Sequence, residues 1–244
     1  MRIRLDINKG VVENAQVYYE RAKKAKDKIK GVLKAIEQTK KKLNNLKEEH
    51  RKETVKINLK RRKERKWYEK FRWFISSDGI LVIGGRDATT NEILIKKHVD
   101  SDTIVLHSDI AGSPFMVITE KNPPENTVNE AAIATASYSK AWSSGYGVMD
   151  VYWVRGEQIS KSAPSGEYLT RGSFMIYGRK NYVKNVKLEL AIGITESGEI
   201  TGGPVKAVSE RSLAFVKIVP GNRKSSDLAK EISRRLKKAF EKKN

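Results

Sequence analysis

The sequence predicts an α+β protein: a long basic coiled-coil helix, then a compact domain with a largely antiparallel sheet and flanking helices, and a C-terminal helix. Three observations carry this. A heptad-like seam runs through the first fifty residues without a proline. Strand-length apolar runs then follow one another with few helical patterns between them, which favours antiparallel pairing. The charge is also unevenly placed along the 244 residues, whose formal net charge is +20.

The seam comprises Ala15, Tyr18, Ala22, Ala25, Ile29, Val32, Ile36, Thr39, Leu43 and Leu46. Its steps alternate three and four, the period of a coiled coil. Beyond His50 the seam decays, and Val55, Ile57 and Leu59 alternate instead. That segment reads as a break, a hairpin turn or an exposed stretch. A lone helix leaves such a seam wet, so self-association or a partner helix is expected.

Five aromatics follow within eight positions: Trp67, Tyr68, Phe71, Trp73 and Phe74. Trp67, Phe71 and Phe74 recur at helical spacing, so a helix is expected to deliver them into a core. Packing is the plain reading of these rings, and stacking on bases the sharper one. Ser76-Ser77-Asp78-Gly79 is turn chemistry opening a hairpin.

Strands are predicted at 81–84, 104–107, 115–119, 148–154, 174–177, 186–194 and 214–219, and helices at 90–98 and 127–142. Thr127 with Glu130 three residues on has the form of a capping box. Ser226 is expected to cap a last helix, with Leu228, Ile232, Leu236 and Phe240 on one stripe. The expected organisation is a basic stalk over 1–66, a domain over 67–220 and a basic helical tail over 221–244.

Residues 1–72 hold 25 Lys and Arg against 10 Asp and Glu, and residues 221–244 hold 9 against 3. The middle is near neutral. A neutral domain with basic extensions points to a polyanionic partner. Among polyanions a membrane fits poorly. The basic helix lacks a broad apolar face, and no run approaches the ~20 apolar residues of a span. No signal peptide follows Met1-Arg2-Ile3-Arg4, so a cytoplasmic location is expected. The absence of cysteine excludes disulfides, thiolate metal sites and a cysteine nucleophile.

The densest basic segment gives the first candidate RNA contacts: Lys60, Arg61, Arg62, Lys63, Arg65, Lys66, Lys70 and Arg72. Only Glu64 and Glu69 accompany them, too few for i,i+4 compensation. Arg86 with Lys96 and Lys97, and Lys161 with Arg171, are lesser candidates; Arg86 can instead pair with Asp87 or Asp109. Gly178-Arg179-Lys180-Asn181-Tyr182 reads as a loop offering two cations and a ring, suited to phosphate and base. His107 and Asp109 share a strand face, and Ser160-Lys161 has the outline of a dyad. Neither has a supporting ligand cluster or oxyanion signature. No catalytic residue, metal or cofactor is expected, and the chain is read as a non-enzyme.

Several blocks carry a family resemblance: Gly84-Gly85-Arg86-Asp87-Ala88 with Asn91-Glu92, His107-Ser108-Asp109-Ile110 with Gly112-Ser113-Pro114-Phe115, Glu130-Ala131-Ala132, and Tyr152-Trp153-Val154. The longest is Gln158-Ile159-Ser160-Lys161 through Ala163-Pro164-Ser165-Gly166-Glu167-Tyr168-Leu169 to Gly178-Arg179-Lys180-Asn181. In this order they resemble the C-terminal RNA-binding domain of the NFACT proteins, the family of NEMF, bacterial RqcH and the fibronectin-binding protein A homologues. Leu5-Asp6 through Tyr18-Tyr19-Glu20 is similar to the start of the family's coiled coil. The resemblance implies binding of RNA (rRNA, tRNA or both) on the stalled large ribosomal subunit during ribosome-associated quality control. It also implies an N-terminal domain and a helix-hairpin-helix module that this sequence lacks. The alternative is a coiled-coil protein-interaction module with no specific RNA role.

Overall fold

The computed structural model describes residues 3–60, 66–110, 112–162 and 169–243, with 48–60 and Lys243 as backbone alone. The chain divides into two compact units, Met1–Arg65 and Lys66–Asn244.

Among the described residues the first unit is one helix, α1 (Val11–Lys60), preceded by a short irregular segment with a turn closed by the Lys9 N–H on the Asp6 carbonyl. Its 50 residues extend ~75 Å at ~1.5 Å per residue. The helix is continuous through His50, so the expected seam decay is neither a break nor a hairpin turn. The seam faces water: Ile29, Val32, Ile36, Leu43 and Leu46 are all exposed. The entry to the helix is tied by Asn14. Its side chain accepts from the Asp6 N–H at 2.9 Å and donates to the carbonyls of Asp6 and Lys9, each at 3.0 Å.

The second unit opens with a 3-10 turn at Trp67–Lys70 and runs straight into strand β1 (Arg72–Ile75). The expected helix through the aromatic cluster is therefore corrected. The i, i+4, i+7 spacing spans a turn and a strand. Phe71 and Phe74 are both buried, but on opposite faces of one sheet. The turn at 76–79 leads to β2 (Leu81–Gly84), paired with β1 in register Phe74 to Val82. Then come α2 (Ala88–His98), β3 (Ile104–His107), β4 (Met116–Ile118), α3 (Glu125–Ser137), the short α4 (Lys140–Ser143) and β5 (Val148–Arg155). A small hairpin β6 (Ile159–Ser160) and β7 (Met175–Ile176) precedes β8 (Asn181–Lys187).

Six strands form one antiparallel sheet in the order β1-β2-β4-β3-β5-β8. Both faces are buried, which explains the continuous apolar runs Ile104-Val105-Leu106 and Met116-Val117-Ile118. Phe74, Val82, Leu106, Met116 and Ile118 pack against the alanine-rich α3, while Ile83, Val105, Val117 and Val154 pack with Leu94 of α2.

The predicted helix over 127–142 is two helices, broken where the Ser139 hydroxyl accepts from the Ala141 N–H at 3.1 Å. Its predicted capping box is also corrected, because α3 starts two residues earlier and both residues lie inside it, buried. Thr127 instead donates to Asp78 Oδ2 at 2.7 Å, and the Ser77 N–H donates to Glu130 at 2.9 Å. The Thr-x-x-Glu pattern thus fastens α3 to the β1–β2 turn. A true reciprocal cap forms at Asp87. Its carboxylate accepts from the Thr90 N–H at 2.8 Å, and the Thr90 hydroxyl accepts from the Asp87 N–H at 2.9 Å.

The strand predicted over 186–194 is split. After β8 the chain changes sheets and continues as β9 (Leu190–Ile194). β10 (Ile200–Gly203) and β11 (Ala214–Ile218) flank β9 in a second antiparallel sheet. On one side α5 (Val205–Arg211) closes on Gly193, where an added Cβ would lie 2.8 Å from Val208. On the other lies α6 (Ser225–Lys243), whose stripe of Leu228, Ile232, Leu236 and Phe240 packs on Ile192, Ile194, Val216 and Ile218.

Candidate nucleic-acid interface

Two segments far apart in sequence converge above the α2 face of the large sheet. One is the stretch from Gly85 to Asn91 at the start of α2. The other is the segment from Arg171 to Lys180, which carries β7. Gly172 makes this approach possible. Its φ is +79°, and an added Cβ would stand 2.6 Å from the Ala88 backbone. Between them and the β3–β4 turn lies a cavity of about 730 Å³. Its walls include Arg72, Arg86, Arg171 and Lys180.

Each of these cations is held. Arg72 lies over the Tyr138 ring at 4.6 Å. Arg86 donates to the carbonyls of Glu69 at 3.3 Å and Phe71 at 3.0 Å. The side-chain pairing with Asp87 or Asp109 considered for it does not form, and the guanidinium ties the opening turn to the sheet. Lys180 bonds Asp109 at 2.8 Å and sits 4.2 Å from the centre of the Tyr152 ring. The Tyr182 hydroxyl donates to the other Asp109 oxygen at 3.1 Å. Lys180 first, then Tyr182, holds the Asp109 carboxyl below its ordinary range.

Arg171 joins the cavity to a second cluster. Glu92 of α2 pairs with Lys161, with Lys96 at 2.9 Å and with Arg171 at 3.6 Å. Three cations around one carboxylate leave an excess of positive charge on the surface. The Glu92 carboxyl is held down to about 2, chiefly by the hydrogen bond from Lys161.

Other predicted residues gather elsewhere. Trp67 stacks on His98 with ring centres 4.6 Å apart, and Lys70 and Lys97 lie near that imidazole. Burial, then these two lysines, lowers the His98 pKa. Lys66 is exposed, its ammonium 5.8 Å from the Tyr68 ring centre. Arg179 is exposed, its carbonyl taken by Gln158 Nε2 at 3.0 Å. The expected loop ends at Lys180, and Tyr182 lies on β8 opposite Tyr152. Lys60 ends α1, and Arg61, Arg62, Lys63 and Arg65 lie outside the described residues.

His107 is part of the cavity wall, stacked on Phe115 at 4.1 Å with Nδ1 3.1 Å from the Pro114 carbonyl. Donation to that carbonyl assigns the proton to Nδ1, and burial pushes its pKa down. Sequence reasoning did not single out Asn91, Ser113 or Phe174. All three stand inside the resemblance blocks, but nothing in their type or spacing sets them apart. Among the described residues no group of three or more His, Cys, Asp or Glu is placed to hold a metal. Nor is any helix there long and apolar enough to cross a membrane.

Comparison with known proteins gives the class. A family model described as the NFACT protein RNA binding domain matches residues 70–178, and one described as NFACT N-terminal and middle domains matches 1–64. The chain belongs to the NFACT family, and its second compact unit carries the family's RNA-binding domain. Among curated relatives it is 47% identical to an archaeal Rqc2 homolog, aRqcH, of Methanocaldococcus jannaschii. That match covers 74% of this chain and 28% of the relative. It is 37% identical to the ribosome quality control complex subunit NEMF homolog of Drosophila melanogaster, over 78% of this chain and 20% of the relative. It is 38% identical to the human ribosome quality control complex subunit NEMF, over 70% and 16%. The chain therefore spans between 16% and 28% of the length of these relatives. A solved structure of the C-terminal region of the fibronectin/fibrinogen-binding protein from Streptococcus suis aligns with TM-score 0.42 at 22% identity, covering 73% of this chain and 77% of that one.

Proposed function

We propose that this chain is the RNA-gripping portion of a cytoplasmic ribosome quality-control factor. In this reading it contacts rRNA or tRNA on the large ribosomal subunit, and it acts by binding rather than by catalysis. The observation that carries the reading is the Glu92 cluster and its neighbour. Lys96, Lys161 and Arg171 surround one carboxylate beside a cavity that adds Arg72, Arg86 and Lys180. Cations fixed by pairing and by rings present phosphate-binding groups with little ordering left to do. The relatives named for the ribosome quality control complex support the setting. The basic segment from Lys60 to Arg72 adds long-range attraction, and the exposed seam of α1 supports self-association or a partner helix.

The test is fluorescence anisotropy of a structured RNA titrated with the whole chain. Binding that weakens as salt rises is the expected result. Absence of binding at low salt contradicts the reading.

A further inference from the structure

The cavity has a feature that a purely electrostatic grip on phosphates leaves unused. Arg72 Nε, Asn91 Oδ1 and Ser113 Oγ are buried without a hydrogen-bond partner among the described residues, and all three residues line it. Ser113 is only 5% exposed. Buried polar atoms are ordinarily satisfied, and each one left without a partner costs about 1–3 kcal/mol. Three such residues around one cavity give it polar groups with unused hydrogen-bonding capacity, Asn91 Oδ1 beside Gly85 at its edge.

The chemistry of the wall narrows what that partner is. Arg72 Nε can only donate, a hydroxyl does both, and Asn91 Oδ1 can only accept. The phosphodiester of an RNA backbone has no use for the acceptor, because it offers no proton. A nucleobase edge carries donors and acceptors together. The aromatic part of the wall is equally specific. Phe174 meets Phe115 edge-on with centres 5.6 Å apart, and the stacked His107 follows. Flat apolar groups beside cations suit a base joined to a phosphate. The cavity's volume lies within the ~300–1,000 Å³ typical of small-molecule sites, ample for one nucleotide. Asp87 and Asp109 also line it, but the first is spent on capping α2 and the second on Lys180 and Tyr182, so neither opposes an anion unpaired.

We propose that the cavity receives a single extruded nucleotide of the bound RNA. The base meets Asn91, Ser113 and the Phe174 wall, and the adjoining phosphate meets Arg171 and Lys180. The inference rests on the RNA-binding reading and adds a mode of recognition to it. Such a pocket favours loops, bulges and strand ends, where a base can leave the stack at low cost, over uninterrupted duplex.

The experiment uses the whole chain and two probes. Saturation-transfer NMR with the four ribonucleoside 5′-monophosphates, against inorganic phosphate, reads the cavity itself. Anisotropy with an RNA hairpin and a matched blunt duplex reads its use. Two variants, Ser113→Leu to fill the cavity and Phe174→Ala to remove part of its wall, are checked by circular dichroism, so that one folded variant suffices. Transfer to base protons, tighter binding of the hairpin, and about a tenfold loss of hairpin affinity in the folded variants, the order of one stacked base, are the expected results. If phosphate competes but base protons stay silent, or if the variants bind the hairpin like the parent, the inference fails while the RNA-binding reading stands. If the parent binds no RNA at any salt, the RNA-binding reading itself fails and takes the inference with it.

Discussion

Lys180 and Asp109 meet at 2.8 Å across 71 residues of sequence, joining the start of β8 to the turn after β3. The ammonium is only partly exposed and also lies against the Tyr152 ring, so the pair fixes a cation at the mouth of the cavity. Replacing Lys180 with Met is expected to let the Asp109 carboxyl rise toward its ordinary value, because the lysine is the main cause of its depression. RNA affinity should fall, and the log–log salt dependence should flatten by about one unit, the signature of one lost phosphate contact. Carbon-detected NMR of the Asp109 carboxyl and anisotropy on the same variant read both effects.

Thr127 and Glu130 bind α3 to the β1–β2 turn rather than capping the helix. Thr127→Val leaves buried Ser76 and the partly buried Asp78 contact without their hydroxyl partner. A loss of about 1–3 kcal/mol is expected, the cost of an unsatisfied buried group, seen as a lower melting temperature with the RNA-binding surface intact. A variant that melts with the parent would show that this contact carries no stability.

His98 and His107 both have pKa values lowered first by burial. A base harder to protonate in the folded chain than in the unfolded one makes the unfolded chain take up protons first. Stability is therefore full above about 6.5, the ordinary histidine value, and declines as pH falls below it toward the folded values. Paired carboxylates extend the decline. Glu92 is held down to about 2 from an ordinary 4.5, and its contribution is lost as pH falls through that window. Thermal melts from neutral to acid pH should show two stages of loss, and NMR titration should place both imidazoles below 6.5. Unchanged melting between pH 7 and 5 would contradict the assignment of the first stage.

Much of the large sheet was legible because burial on both faces turns its strands into unbroken apolar runs. The run from Ile104 to Leu106 can hardly be anything else at that length. The aromatic cluster misled because a 3-10 turn followed by a strand placed Trp67, Phe71 and Phe74 at helical spacing by coincidence. The Thr127–Glu130 pattern misled because its side chains serve a contact some fifty residues away. β10 was invisible, since Ile200-Thr201-Gly202-Gly203 offers too little apolar pattern for a strand. The candidate cations were legible as types, but their grouping was not. Nothing near Glu92 in sequence announces Lys161 and Arg171, and the cavity is assembled from six separated stretches of the chain.

The seam of α1 remains exposed from Ile29 to Leu46. Weak, concentration-dependent self-association is expected, limited by small seam residues such as Ala22 and Ala25 and by surrounding lysines. Sedimentation equilibrium should show it, and Ile36→Asp with Leu43→Asp should abolish it. A strict monomer at high concentration would mean that the seam serves a different partner.

The most direct measurement is the affinity of the whole chain for structured RNA between about 50 and 200 mM salt, for the parent and for two charge-reversed variants. One variant carries Arg171→Glu with Lys180→Glu. The other reverses Lys60, Arg61, Arg62, Lys63, Arg65 and Lys66. The parent should lose affinity steeply with salt. The first variant should bind at least about tenfold more weakly with a slope flatter by about two units, one for each lost phosphate contact. The second should bind more weakly too, while melting like the parent. A salt-independent affinity in the parent, or full binding by the Arg171 and Lys180 variant, would contradict an RNA interface built on this cavity.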